Sequence, residues 1–431
     1  MRERGGRVVI TGMGPISSIG SGIRGFWDGL VKGRVGARTM DDVFDKRIRS
    51  RVGAPVEDFE AGSYDISERE ARLLDPVTLY AIAASTLALR DAGFSLTACE
   101  DRKAGIQVEG VDPNRVGVII GTGIGGLSTT EAAHKKWIEH LPLTGAARYA
   151  LPMLIPNAVP AQVAIRFGFH GECKAVSTAC AAGTMAIGDA YRLVASGELD
   201  LAIAGGAEKT LIDRDGFSLI GFDLLHAMST RNDDPQTASR PFDADRDGFV
   251  MSEGAGILVL ERESHALARG AKPHVIVSSY AATCDAHSML ALDASGVQMA
   301  RVMRQAIKHA PEISNEDIVY ANAHGTSTSM NDATESKALH AVFGKRIRDI
   351  VVNSTKAMTG HAIAASGALE IIASSLSLAY RTVHRCVNLD RVDPECDLNL
   401  PRENCSVRPC AAISSSFGFG GHNASVVLRA F

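Results

Sequence analysis

Three segments of this 431-residue chain carry side chains able to do covalent chemistry. Cys180 stands in Val176-Ser177-Thr178-Ala179-Cys180-Ala181-Ala182-Gly183, between a short apolar run and a helical pattern. That setting puts it on a turn at or just before a helix N-terminus, where free N–H groups and the helix dipole favour thiolate and lower the thiol pKa. The chemistry would be nucleophilic attack on an acyl group; the alternative is a buried, inert cysteine. His324 lies in Asn322-Ala323-His324-Gly325-Thr326-Ser327-Thr328, and His361 closes Lys356-Ala357-Met358-Thr359-Gly360-His361; each segment follows a strand pattern. Active sites of α/β folds collect at the carboxyl ends of strands. One histidine there reads as a cap or core residue, but two with a cysteine at a third strand end read as a site. The fourth segment is Ser414-Ser415-Ser416-Phe417-Gly418-Phe419-Gly420-Gly421. Glycines around two rings imply backbone that comes close to a ligand and swings a bulky side chain.

Positioning these residues requires alternating strands and helices. Apolar runs predict strands over Arg7–Thr11, Val116–Ile120, Leu201–Gly205 and Ile257–Leu260, then Val275–Tyr280, Ile318–Ala321, Asp349–Asn353 and Ala411–Ser414. Helical periodicity falls on Asp75–Ala92, Thr184–Ser196, Val297–His309, Asp332–Phe343 and Gly367–Tyr380. The alternation predicts an α/β fold with mainly parallel sheets. Arg269–Pro273 is the nearest thing to a seam, dividing a half at 1–270 that carries the cysteine from a half at 271–431 that carries both histidines.

Composition narrows the function. The chain is 45% hydrophobic and 22% charged, with a formal charge of −4. This is a globular composition, not a disordered one, and the acidic balance and 5% aromatics argue against a nucleic-acid partner. Val8–Ile10 is too short for a signal-peptide core, and Ala362–Tyr380, interrupted by Glu370, reads as a buried helix and not a membrane span. Eight cysteines without CxxC spacing or a Cys/His zinc pattern predict no metal centre and a reducing compartment, the cytoplasm. Gly12-Met13-Gly14 follows a strand, yet Pro15 and Ser17 spoil a dinucleotide fingerprint. Asp243–Gly248 begins like a calcium loop, but Gly254 stands where the bidentate acid belongs, so a polar turn with internal salt links is expected.

Together these segments resemble the β-ketoacyl-acyl-carrier-protein synthases of the elongating type, the condensing enzymes of fatty-acid and polyketide synthesis. The likeness runs from Val8–Gly14 through Gly121–Gly126, the stretch around Cys180, Arg240–Asp243 and Asp247–Phe249, both histidine segments and Phe417–Asn423. The resemblance implies a thiolase fold, a five-layered αβαβα core of two similar halves, normally a homodimer. It implies Cys180 as nucleophile, His324 and His361 as the pair serving malonyl decarboxylation, and Lys356 as an electrostatic tuner. Phe419 would be the gating ring, its N–H and that of Cys180 an oxyanion hole. Thr326 and Thr328 would hold the pantetheine arm, Phe417 would line the substrate site, and Ile124 would approach the end of the acyl pocket at the dimer interface. No organic cofactor is implied. In some relatives the positions of Asn322, Glu370 and Ser414 surround a monovalent cation. The implied partner is an acidic acyl carrier protein, with Arg69, Arg72 and Arg148 near docking positions. Departures fall at Ser252, Ser415 and His422, in Cys284–Met289 and Ala291–Asp293, and most of all in Thr210–Ala227.

Two other functions use the same fold. A thiolase acting on coenzyme A esters needs a second catalytic cysteine in the C-terminal glycine-rich loop, and Phe417–Gly421 has none. A non-catalytic chain-length subunit would lack the nucleophile, which Cys180 supplies.

Overall fold

The structure is a computed structural model, and it describes residues 6–41, 44–45, 47–99, 105–211 and 216–431. Five strands come from the first part of the chain: β1 (Val8–Ser17), β2 (Val116–Gly121), β3 (Cys173–Val176), β4 (Leu201–Glu208) and β5 (Gly254–Arg262). Five more follow: β6 (Val275–Cys284), β7 (Ile318–Asn322), β8 (Val351–Asn353), β9 (Ala411–Gly418) and β10 (His422–Ala430). They join in the order β8-β7-β9-β10-β6-β1-β5-β4-β2-β3, with a short Gly20–Ser21 strand on β1. The order reads as two wings meeting at β1 and β6, where Val8–Ile10 pair antiparallel with Val275–Val277. Strands before residue 270 make one wing and strands after 271 the other.

The expectation of mainly parallel sheets is corrected. Within each wing the outer two pairings are parallel and the inner two antiparallel. Apolar runs mark a strand as doubly buried but carry no information about its direction. β10 was not expected either. Its pattern, His-Asn-Ala-Ser before Val-Val-Leu, starts polar and hides behind the glycine turn at Gly420 and Gly421.

Helices supply the layers. α1 (Pro76–Asp91), α2 (Leu127–Ile138) and α3 (Ala158–Phe167) precede α4 (Ala182–Ser196) and α5 (Phe217–Leu224). α6 (Val297–His309), α7 (Ser329–Phe343) and α8 (Ser366–Ala379) complete the set. α1 packs on the outside of the first wing and α6 on the outside of the second, while α4 and α8 touch each other and strands of both wings. This is the five-layered thiolase arrangement. A helix between two sheets has no wet face, and α8 is buried from Ser366 to Leu378. The expected helical runs all fall on observed helices; α2, α3 and α5 were not foreseen.

β1 continues past the expected Thr11 through Gly12-Met13-Gly14. A Cβ on Gly14 would lie 1.9 Å from the Ala84 carbonyl oxygen of α1, and one on Gly12 would lie 2.0 Å from that of Ala88. These glycines let α1 lie directly on the strand, which accounts for a glycine pair with no nucleotide to bind. In Asp243–Gly248 the carboxylates are committed internally: Asp243 to the Arg240 guanidinium at 3.0 Å, Asp245 to Arg391 at 2.8 Å. Gly14→Ala should lower the free energy of unfolding by about 1–3 kcal/mol, the cost of overpacking against a backbone that must shift, read by urea denaturation. Unchanged stability would mean that α1 does not rest on β1.

Candidate active site

The carboxyl ends of β3, β7, β8 and β9 point to one place. After β3 the chain turns through Ala179, whose left-handed φ of 48° folds it back on itself, so that Cys180 stands on a single 3-10 turn leading into α4. His324 follows β7, Lys356 and His361 follow β8, and Phe417, Gly418 and Phe419 end β9. Gly418 lies against the nucleophile's turn: a Cβ there would be 3.1 Å from the Cys180 amide nitrogen and 2.9 Å from the Thr178 carbonyl oxygen. Glycine is what lets the Phe419 backbone reach the Cys180 N–H.

A cavity of about 430 Å³ is lined by Cys180, His324, His361, Thr326, Thr328, Phe417 and Phe419, along with Phe222 and Phe249. The reacting atoms of Cys180, His324 and His361 lie within 4.8 Å of one another, all buried. His361 Nε2 is 3.1 Å from Cys180 Sγ, and its Nδ1 is 2.9 Å from the Ser366 hydroxyl. A hydroxyl can donate or accept, so His361 can carry its proton on either nitrogen. His324 differs. The Lys356 ammonium donates to His324 Nδ1 at 3.3 Å and to the His324 carbonyl oxygen at 2.7 Å, which leaves the proton on Nε2 as a fixed donor. Lys356 is itself buried and ion-paired with Glu370. The two imidazole rings meet edge to face at 5.4 Å.

Burial sets the protonation states. It pushes the Cys180 thiol up to about 12, against the pull of Lys356. The expected lowering by the helix start is therefore corrected: desolvation of a fully enclosed sulfur outweighs one turn of dipole. Burial, with Lys356 close by, also holds both histidines well below their ordinary pKa, so both are neutral at neutral pH. The resting pair is thiol and imidazole, and the thiol proton has one near acceptor, His361 Nε2.

Several supports were missed in the sequence. Glu335 accepts from the N–H groups of His324 and Gly325, both at 2.8 Å, and burial raises it to about 8. Glu208 accepts from the Gly123 and Ile124 N–H groups at 2.7 and 3.3 Å and from Ala364 at 3.4 Å, and burial raises it to about 7. The available signal was a lone acid closing an otherwise apolar strand or on the buried side of a helix, where an acid must have partners. Phe222 stacks on Phe419 at 6.2 Å and meets Phe249 edge-on, which in turn meets His361. Of the expected residues, Ile124 is half-buried on the turn held by Glu208 and does not line this cavity. Arg69, Arg72 and Arg148 are exposed away from the lining, Arg72 in an ion pair with Glu68. The side-chain oxygens Asn322 Oδ1, Glu370 Oε2 and Ser414 Oγ are buried without a hydrogen-bond partner, and Asn322 and Ser414 are register neighbours on β7 and β9. Three unpaired oxygen acceptors are donors of the kind a hard cation takes.

His361→Ala should slow alkylation of Cys180 by iodoacetamide about 10²-fold at pH 7.5, the usual effect of deleting a proton acceptor, while His324→Ala changes it little. Intact-protein mass spectrometry gives both rates, and equal rates in the two variants would dismiss His361 as the acceptor.

Residues 6–266 match the family described as the β-ketoacyl synthase N-terminal domain, and residues 274–390 its C-terminal domain. A 3-oxoacyl-[acyl-carrier-protein] synthase 2 from Synechocystis sp. is 40% identical over 428 residues, covering 99% of this chain and 98% of that protein. One from Staphylococcus aureus is 39% identical over 426 residues, covering 99% and 98%. Among solved structures, a β-ketoacyl synthase from Burkholderia phymatum superposes with a TM-score of 0.86 at 34% identity, covering 99% of this chain and 100% of that one. A type II PKS acyl-carrier protein in complex with its ketosynthase gives a TM-score of 0.84 at 31% identity, with coverage of 99% and 100%.

Proposed function

The chain belongs to the β-ketoacyl synthase family, and from that we propose that it is a 3-oxoacyl-[acyl-carrier-protein] synthase, an acyltransferase that condenses an acyl thioester with malonyl-acyl carrier protein in fatty-acid elongation. The observation that carries the proposal is the Cys180–His361–His324 cluster, with one imidazole on the thiol and the other locked as a donor by Lys356.

In the first half-reaction Cys180 Sγ attacks the acyl carbonyl carbon. His361 Nε2 takes the thiol proton and delivers it to the departing pantetheine sulfur, so no net proton is consumed. The Cys180 and Phe419 N–H groups receive the oxyanion. In the second, the bond between the malonyl carboxylate and its methylene breaks, carbon dioxide leaves, and the electron pair moves onto the thioester oxygen as an enolate. His324 Nε2–H donates to that oxygen, joined by His361 once Ser366 accommodates its other tautomer. The enolate carbon attacks the acyl-Cys180 carbonyl, and the released thiolate takes up one proton. A thiolase would need a second cysteine here, and the cavity is lined by Cys180 alone among its cysteines.

The rest of the reading is supported more indirectly. Thr326 and Thr328, whose hydroxyls are 2.9 Å apart at the cavity wall, suit the amides of a pantetheine arm. β3 is an edge strand, and Trp137, Ile138, Leu151 and Ile165 on the adjoining segments are exposed, a surface suited to a homodimer with Ile124 closing the acyl pocket beside it. A monomer in sedimentation would rule that pairing out. We take 1–270 and 271–431 as the two domains. Asn322, Glu370 and Ser414 would hold a monovalent cation, whose charge would steady the buried acid beside Lys356. All eight cysteines are free and no described helix is long and apolar enough to cross a membrane, in keeping with a cytoplasmic enzyme.

Cys180→Ala should lose acyl-enzyme formation, seen as loss of added mass on the intact protein, yet still release carbon dioxide from malonyl carrier protein. His324→Ala should retain acylation while decarboxylation falls by roughly 10²–10³-fold, the effect of removing one charge-stabilising donor. Failure of His324→Ala to acylate at all would overturn this division of labour.

A further inference from the structure

Two groups of large apolar side chains are exposed on this molecule. One borders the edge strand β3; the other surrounds the cavity mouth. Leu224 and Leu225 at the end of α5, Met289 and Leu290 between β6 and α6, and Met330 at the start of α7 are between 40% and 79% exposed. Leu225, Leu290 and Met330 line the cavity itself, so the patch is the rim of the site and not a separate face. Three elements distant in sequence bring these side chains together, and two of them are the segments least like the rest of the family, Thr210–Ala227 and Cys284–Asp293. Exposed apolar side chains gathered in one place mark an interaction surface.

The rim carries little free charge. Arg49, the cation at its edge, bonds His226 and the Asp223 carbonyl oxygen and faces the Asp223 carboxylate at 3.6 Å. The exposed arginines Arg69, Arg72 and Arg148 line no part of the mouth.

We propose that this apolar rim seats the acyl carrier protein, which the enzyme grips mainly by apolar contact at Leu224, Leu225, Met289, Leu290 and Met330 and only secondarily by charge. The inference rests on the condensing reaction proposed above. A substrate on a pantetheine arm that reaches the buried Cys180 brings its carrier body against whatever surrounds the mouth. A second copy of this chain is the weaker occupant, because β3 and its neighbours offer a separate apolar face. The loop carrying Met289 also accepts a hydrogen bond at its carbonyl oxygen from Gly420 N–H at 2.9 Å, next to Phe419, so the seat is contiguous with the site.

The test compares Leu224→Glu and Met289→Glu, neither of which lines the cavity, with Arg69→Glu/Arg72→Glu. Condensation is followed with a malonyl-loaded bacterial acyl carrier protein and with malonyl-pantetheine, which has the arm without the protein. The rim variants should raise KM for the carrier about tenfold and leave malonyl-pantetheine turnover unchanged. Wild-type KM for the carrier should change less than about twofold between low and high salt. A carrier KM that rises steeply with salt and responds to the arginine reversals but not to the rim variants would overturn the proposal, as would a change in oligomeric state in the rim variants. Wild-type turnover of malonyl-pantetheine reports the catalytic reading by itself, so failure of the rim and failure of the reaction are told apart. Leu224→Ala and Met289→Ala, which add no charge, should show the same direction of effect.

Discussion

Everything in this site follows from one contact: a thiol buried out of water, 3.1 Å from an imidazole. Enclosure raises the Cys180 thiol to about 12 and lowers both histidines, so neither partner ionises alone. A charged resting pair would have to be solvated by the protein, and Phe249 and Phe419 offer little of that. The proton can leave sulfur only as the attacking bond forms and charge appears on an acyl oxygen held by backbone N–H groups. Resting inertness and reactivity toward a bound thioester thus have the same cause. A dry pocket also protects the enolate, which bulk water would protonate before it could condense.

That contact demands rigid supports, and the fold supplies them at strand ends. Buried carboxyls tie the loops: Glu335 under His324, Glu208 between the Gly123–Ile124 turn and the Ala364 N–H just beyond His361. Lys356 distinguishes two otherwise similar histidines by donating to one of them. The five layers matter for the same reason. α4 begins beside Cys180 and α8 carries Glu370 to Lys356, and both are clamped between the two wings. A loop site on a single sheet would lack the central layer that fixes these groups from behind.

Much of this was legible in the residues. Cys180, His324 and His361 stood out because each closed a strand pattern, and the ordered set of motifs specified the family. What was not legible is equally instructive. Strand direction was misread because doubly buried strands share one composition whichever way they run. The thiol's protonation was misread because a helix start is visible in sequence while complete enclosure is a property of residues hundreds of positions apart. Glu208 and Glu335 passed unnoticed since their partners are backbone N–H groups, which every residue has. The separate roles of His324 and His361 depend on which neighbour reaches which nitrogen, and no spacing encodes that. Gly12 and Gly14 were noticed for a motif they do not form; their work is to bring α1 onto β1.

The protonation of Cys180 at rest is the most direct measure of this account. Thiolate absorbance at 240 nm, taken as the difference between wild type and Cys180→Ala, can be followed from about pH 6 to pH 10. A neutral thiol–imidazole pair gives no thiolate signal from Cys180 over that range. A titration centred near or below pH 7 would show that the helix start, and not burial with proton transfer to His361, activates the nucleophile.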